Sequence, residues 1–245
     1  MNNKLLILLP ELSRDNIHGM APSTYFFKGL YRRLTVRNRK KVFVLGFHKT
    51  GTTSLAKALV VLGYRVCGFV NPPINYTPQT HTKDELFEAT YKPLLNEYDV
   101  FEDTPWFIFY KELLELYPDA KFILTKRPVD KWYKSALKHF GGYDRKSYHW
   151  IYDGKGDPEG NKELYINKYT EHNEAVIKYF KKNNKELLVM NMPEDFNWDV
   201  ICNFLNCSKP FGDFPHANSA TDRVTIKRRL IYALKRKYYK WGTKP

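Results

Sequence analysis

The apolar run KVFVLGF (41–47) leads through HKTG into TTSLAKALVVL, which stops at Gly63. An apolar run without polar alternation reads as a strand buried on both faces, and such strands belong to parallel sheets covered by helices. The stretch behind it is helix-like and ends at a glycine, a usual C-terminal stop. Between the two, Gly46 and Gly51 let the backbone fold tightly around an anion. The N–H groups of Lys49, Thr50, Gly51, Thr52, Thr53 and Ser54 can then converge on phosphate oxygens, and the first helical turn adds its positive dipole end. An ATP-binding loop of this length carries its lysine directly after the second glycine. Here Thr52 and Thr53 follow Gly51, and the lysine stands at position 49.

The alternation of strand and helix continues along the chain. YRVCGF (64–69) is a second short strand, and YDVFED (98–103) a third, followed by a helix WFIFYKELLELY that stops at Pro118. KFILTK (121–126) is the fourth, followed by the helix WYKSALKHF up to Gly141–Gly142. A long helix near 164–182, a strand KELLVMNM (185–192) and a helix around 198–206 complete the series. This order predicts a three-layer α/β/α fold with a central, mainly parallel sheet. Function on such sheets lies at the carboxyl ends of the strands. Three motifs fall there, after strands one, three and four.

The first motif is the glycine loop. The second is TKRPVDKWYKS (125–135), in which Arg127 follows a strand and Ser135 lies eight residues on, along the next helix. That step can bring both to one phosphate, for which arginine offers a planar fork. The third is FEDTPWF (101–107), where Glu102 and Asp103 supply adjacent carboxylates and a helix begins near Pro105.

Taken together, GFHKTGTTSL and the Arg127–Ser135 pair resemble the donor-binding motifs of P-loop sulfotransferases that use 3′-phosphoadenosine 5′-phosphosulfate (PAPS), with their K-x-G-T-T pattern. FEDTPWF resembles the E-K-[ST]-x-x-Y/F stretch of the glycosaminoglycan-type members, and GKGDPEGN (154–161) and FPHAN (214–218) look like stretches of small bacterial-type ones. The likeness runs from about 41 to 218. It implies in-line transfer of the sulfuryl group of PAPS to a hydroxyl or amine, on a carbohydrate, lipid-linked or other small-molecule acceptor, with no metal ion. The residues expected to hold the donor are Lys49, Thr50, Gly51, Thr52, Thr53, Ser54, Arg127 and Ser135. Lys49 is expected to neutralise charge on the leaving phosphate. Glu102 matches the family's general base, but Asp103 stands where that motif has lysine. Another branch has an aspartate before the proline, so Asp103 is a rival base. Two other readings stay open: a nucleotide kinase or NTPase with Asp103 acting on Mg²⁺, and a non-catalytic protein that binds anions or membranes. The segment 141–154 reads either as a lid whose Tyr143, Tyr148, Trp150 and Tyr152 stack on an acceptor, or as a hydrophobic cap. His48 reads as a packing residue of the loop.

The net charge of +14 invites a nucleic-acid reading, but its distribution argues otherwise. Residues 1–41 carry +7 and residues 222–245 carry +8, while 42–221 are near neutral at −1. A nucleic-acid-binding domain spreads its basic face over the fold; basic ends fit an anionic membrane, a polyanion, or solubility alone. No nucleic-acid partner is expected. Three units follow: a basic N-terminal segment (1–41) packed on or beside the core, a sulfotransferase domain (42–221), and a basic C-terminal helix (222–245) of the same domain. Ile231, Leu234, Tyr238 and Trp241 share one face of that helix, which either docks on the body or lies on an anionic interface. Three unclustered cysteines suggest neither a disulfide framework nor a zinc site. No run reaches the roughly 18 apolar residues that span a bilayer, so the expected location is cytoplasmic, with peripheral membrane contact left open.

Overall fold

A computed structural model describes residues 22–35, 39–73 and 75–216. The expected C-terminal helix (222–245) and the start of the N-terminal segment lie outside them. Among the described residues, five parallel strands form one sheet in the order β2-β3-β1-β4-β5. The strands are β1 (Val42–Val44), β2 (Val66–Cys67), β3 (Val100–Phe101), β4 (Lys121–Lys126) and β5 (Leu188–Asn191). Seven α-helices accompany them: α1 (Pro22–Thr35), α2 (Thr52–Val61), α3 (Lys83–Leu86), α4 (Tyr110–Leu116), α5 (Val129–Phe140), α6 (Lys162–Lys182) and α7 (Trp198–Leu205). The fold is therefore α/β with a central parallel sheet.

Period-two alternation along β1 shows how the layers form. Val42 and Val44 face a core shared with Leu55 and Leu59 of α2 and Ile201 of α7. Phe43 and Leu45 face the other side, where Phe101, Phe122, Leu113 of α4 and Phe180 of α6 pack. Val42, Phe43, Val44 and Leu45 are all 0 % exposed, and each such burial contributes about 1.5–3 kcal/mol. A third, aromatic cluster lies beyond the strands' carboxyl ends: Phe47, Phe107, Trp132, Tyr152, Tyr165 and Tyr169.

Three local readings are refined. The helix expected over WFIFYKELLELY opens as a 3₁₀ turn (Trp106–Phe109) before α4 begins. The stretch 83–96 forms α3 and then a π-helical and a 3₁₀ turn, which no periodic pattern announced. Its start was legible, since Thr82 and Glu85 form a reciprocal capping box. In the N-terminal segment, α1 packs on α2, and Arg33 Nη2 donates to the Tyr64 carbonyl at 2.9 Å.

The sheet order places the chemistry. The chain leaves β1, builds β2 and β3 on one side, then crosses to β4 on the other. The side on which the chain adds strands thus switches beside β1, and the crevice at the carboxyl ends there is where ligands bind in such sheets. The loops after β1, β3 and β4 all open there. They carry the three motifs.

Candidate active site

The loop after β1 is pinned against β4. A Cβ on Gly46 would lie 1.9 Å from Thr125 Oγ1, so only glycine allows this approach. The Thr50 hydroxyl bonds the same Oγ1 at 2.7 Å and the Phe47 carbonyl at 2.5 Å. Thr50 therefore turns its side chain inward and offers a ligand only its backbone. The chain then passes through left-handed conformations at Lys49 (φ 69°) and Gly51 (φ 94°). Gly51 gives α2 no capping side chain. The Ser54 and Leu55 amides both bond the Gly51 carbonyl, at 2.9 and 3.2 Å, so the amides ahead of them are those a helix N-terminus leaves for an anion.

Helix α5 lies across the loop. Trp132 Nε1 donates to the His48 carbonyl at 2.9 Å, and two turns later Phe140 meets the His48 ring edge-on at 5.0 Å. His48 is 2 % exposed, stacks on Tyr148 and shares a 2.8 Å hydrogen bond with the Tyr152 hydroxyl. Burial, followed by the charges of Lys49 and Arg145, pushes its pKa down to about 3. It is a neutral packing group, as its place in the loop suggested. Tyr148, Trp150 and Tyr152 are buried too. The segment 141–154 is a cap on the loop, and its aromatics, Tyr143 excepted, are core rather than acceptor-stacking faces.

Arg127 is positioned by its backbone. The Tyr169 hydroxyl accepts from the Arg127 N–H and donates to the Arg127 carbonyl, each at 2.8 Å. The guanidinium then reaches the Lys49 carbonyl at 3.3 Å, so the first two motifs meet in one hydrogen bond. Ser135 sits half-buried on α5, and Thr53 half-buried at the start of α2. Ser54 is buried behind the loop at 5 % exposure. The fold thus presents Lys49, Thr53, Arg127 and Ser135 near the surface of the crevice, and turns Thr50, Thr52 and Ser54 inward.

The two carboxylates separate. Val100 faces the α2 side of the sheet and Phe101 the opposite side. Alternation returns Glu102 to the α2 side, where it is 4 % exposed and hydrogen-bonded to the Thr52 hydroxyl. Its Oε2 is buried without a partner. Burial, and then the neighbouring Asp103 charge, push this carboxyl well above the usual carboxylate range. Asp103 leaves the strand in a left-handed conformation (φ 66°) that aspartate tolerates. It stays half-buried, with Oδ1 accepting from the Thr104 N–H at 2.6 Å.

Lys49 feels charges of both signs. Burial lowers its pKa to about 8; Asp103 opposes that shift, while Arg127 and Lys138 add to it. Supporting residues that the motifs did not announce come from α6: Tyr169, and His172, whose Nε2 bonds the Leu45 carbonyl at 2.7 Å. Both lie on the face marked by Tyr165, Tyr169, Asn173, Val176 and Phe180, at steps of three and four. Among the described residues no group of His, Cys, Asp and Glu can hold a metal ion, and no helix is long and apolar enough to cross a membrane.

The chain is 27% identical over 230 residues to the Ava biosynthesis cluster protein M of Aspergillus versicolor, covering 78% of this chain and 86% of that protein. A crystal structure of a sulfotransferase from Alicyclobacillus acidocaldarius superposes with a TM-score of 0.47 at 19% identity, over 82% of this chain and 92% of that one. The sequence model of the sulfotransferase domain matches residues 41–153 and 137–223. With the match covering most of its length, the chain belongs to the sulfotransferase domain family.

Proposed function

We propose that this sulfotransferase uses PAPS as donor and transfers its sulfuryl group in line to a hydroxyl or amine, with Asp103 as the general base. The observation that carries the reading is the convergence, at the switch point of the sheet, of the uncapped α2 N-terminus, Lys49 and the Arg127 guanidinium. This arrangement suits a donor bearing phosphates at two ends. The loop amides and Lys49 would hold the 5′-phosphosulfate, and Arg127 with Ser135 the 3′-phosphate. The donor supplies an activated sulfuryl group whose leaving phosphate is stabilised by positive charge.

Lys49 meets that charge as it develops, in a partly dry site where preorganised electrostatics is strongest. Asp103, the more accessible carboxylate, takes the acceptor's proton as the nucleophile attacks sulfur. Glu102 holds the Thr52 hydroxyl and so fixes the start of α2; it acts on the loop, not on substrate. The bond from acceptor oxygen or nitrogen to sulfur forms as the bridging oxygen–sulfur bond breaks, and the products are the sulfated acceptor and adenosine 3′,5′-bisphosphate.

The test is the thermal midpoint with adenosine 3′,5′-bisphosphate and, separately, with Mg²⁺-ATP. At about 100 times its dissociation constant a ligand adds about 2.7 kcal/mol, or roughly 5–11 °C here. A rise with the bisphosphate that Arg127→Ala abolishes supports the reading. A rise with Mg²⁺-ATP alone would replace it with the kinase reading.

A further inference from the structure

A second group of cations lies near Lys49, apart from Arg127 and Ser135. Beyond Phe140, Arg145 Cζ lies 5.3 Å from the Phe140 ring centroid and 5.5 Å from that of Tyr143. Lys49 Nζ lies 5.8 Å from the same Phe140 ring, so one aromatic side chain bridges the transfer lysine and Arg145. Among the described residues the Arg145 guanidinium makes a single long bond, from Nη2 to the His139 carbonyl at 3.5 Å, and its Nε is buried without a partner. Among the described residues it forms no ion pair. The adjacent carboxylate, Asp144, is engaged by the Gly156 N–H at 2.7 Å and by His149 at 2.8 Å. Lys138 belongs to the same cluster, since its charge and that of Arg145 both act on His139, and Lys138 also acts on Lys49.

The proposed base and Arg145 both act on the buried Tyr148. Asp103 acts electrostatically on Tyr148 and Tyr152, the buried tyrosines of the segment that carries Arg145. Arg127 enters from the opposite end of α5. In-line transfer requires the attacking atom and the leaving group on opposite sides of sulfur. We infer that Arg145 and Lys138 form an anion subsite on the acceptor side of Lys49, and that the acceptor carries a carboxylate, phosphate or sulfate group near its nucleophile. The phenyl ring of Phe140 lies close to both Arg145 and Lys49, and arginine's fork suits a planar or tetrahedral oxyanion. The inference rests on the sulfotransfer reading above.

Its test uses the full chain saturated with adenosine 3′,5′-bisphosphate and titrated with inorganic phosphate at constant ionic strength. Phosphate at ten times its dissociation constant should raise the midpoint a further roughly 3–6 °C. Arg145→Gln should lose this second rise and keep the bisphosphate response. Lys138, whose side chain is exposed, gives a second variant, Lys138→Gln, that decides the matter if Arg145→Gln does not fold. A bisphosphate response with no phosphate increment overturns the subsite alone, and no bisphosphate response overturns the donor reading and the subsite with it. An Arg145→Gln protein that loses the bisphosphate response makes Arg145 a donor residue, which also overturns the subsite. In turnover from labelled PAPS, an acidic acceptor should exceed its amide in kcat/KM by about tenfold or more, and Arg145→Gln should close the gap. Equal rates refute the acceptor assignment.

Discussion

Replacing each of the adjacent carboxylates in turn separates two roles that the motif alone leaves merged. Glu102 is 4 % exposed, hydrogen-bonded to Thr52, and shifted by burial toward the protonated acid. Gln is close to that neutral acid in shape and retains an oxygen for the Thr52 hydroxyl. The cost of Glu102→Gln is then that of one imperfectly satisfied buried amide, about 1 kcal/mol. That lowers the midpoint by about 2–4 °C for a chain of this size and keeps kcat within about fivefold. Asp103→Asn removes the general base, an expected loss of about 10²–10⁴ in kcat, or about 3–5 kcal/mol of transition-state stabilisation. It should barely change the response to adenosine 3′,5′-bisphosphate.

Two assays read the outcome. Infrared difference spectroscopy of the resting protein at neutral pH should show a protonated carboxyl band that Glu102→Gln removes and Asp103→Asn leaves. Labelled PAPS, with any acceptor found by screening, gives the rates. A hundredfold loss in Glu102→Gln alongside a near-normal Asp103→Asn would refute the reasoning and return the base to Glu102.

Lys49→Met should abolish turnover yet stabilise the ligand-free protein by on the order of 1–3 kcal/mol below pH 8, because it removes a buried charge. The sign follows from Lys49 having a pKa of about 8 folded against 10.5 as a free side chain: between those values the unfolded chain binds more protons, so stability rises with pH. Urea titrations across that window should show the slope in the wild type and not in Lys49→Met. Tyr152→Phe leaves the buried His48 ring without its 2.8 Å partner, an expected cost of about 1–3 kcal/mol. Thermal melts should register it, with the bisphosphate response retained.

Much of this protein was legible in its sequence because the deciding interactions are local or periodic. KVFVLGF reads as a buried strand, and the β4 stretch KFILTK matches the observed Lys121–Lys126. The glycine loop announces itself too, since Gly46 and Gly51 occupy positions that a side chain cannot fill without clash or backbone strain. Beyond the Thr82–Glu85 capping box, the turns of 83–96 were not legible, because α3 spans only Lys83–Leu86 and so offers no run long enough to show a period.

What the tertiary structure alone decided is which chemically similar groups face the crevice. Glu102 and Asp103 are neighbours with the same carboxylate chemistry. One residue of pleat sends the first under α2, and a left-handed turn gives the second greater exposure. Thr50 and Thr53 both belong to the loop motif, yet one hydroxyl bonds Thr125 and the other stays half-buried at the helix start. Arg145, separated from Lys49 by almost a hundred residues, comes beside it through the Phe140 ring. A sequence specifies which groups are available and their local conformational preferences. Burial, which lowers the pKa of Lys49 and raises that of Glu102, exists only once the chain has folded.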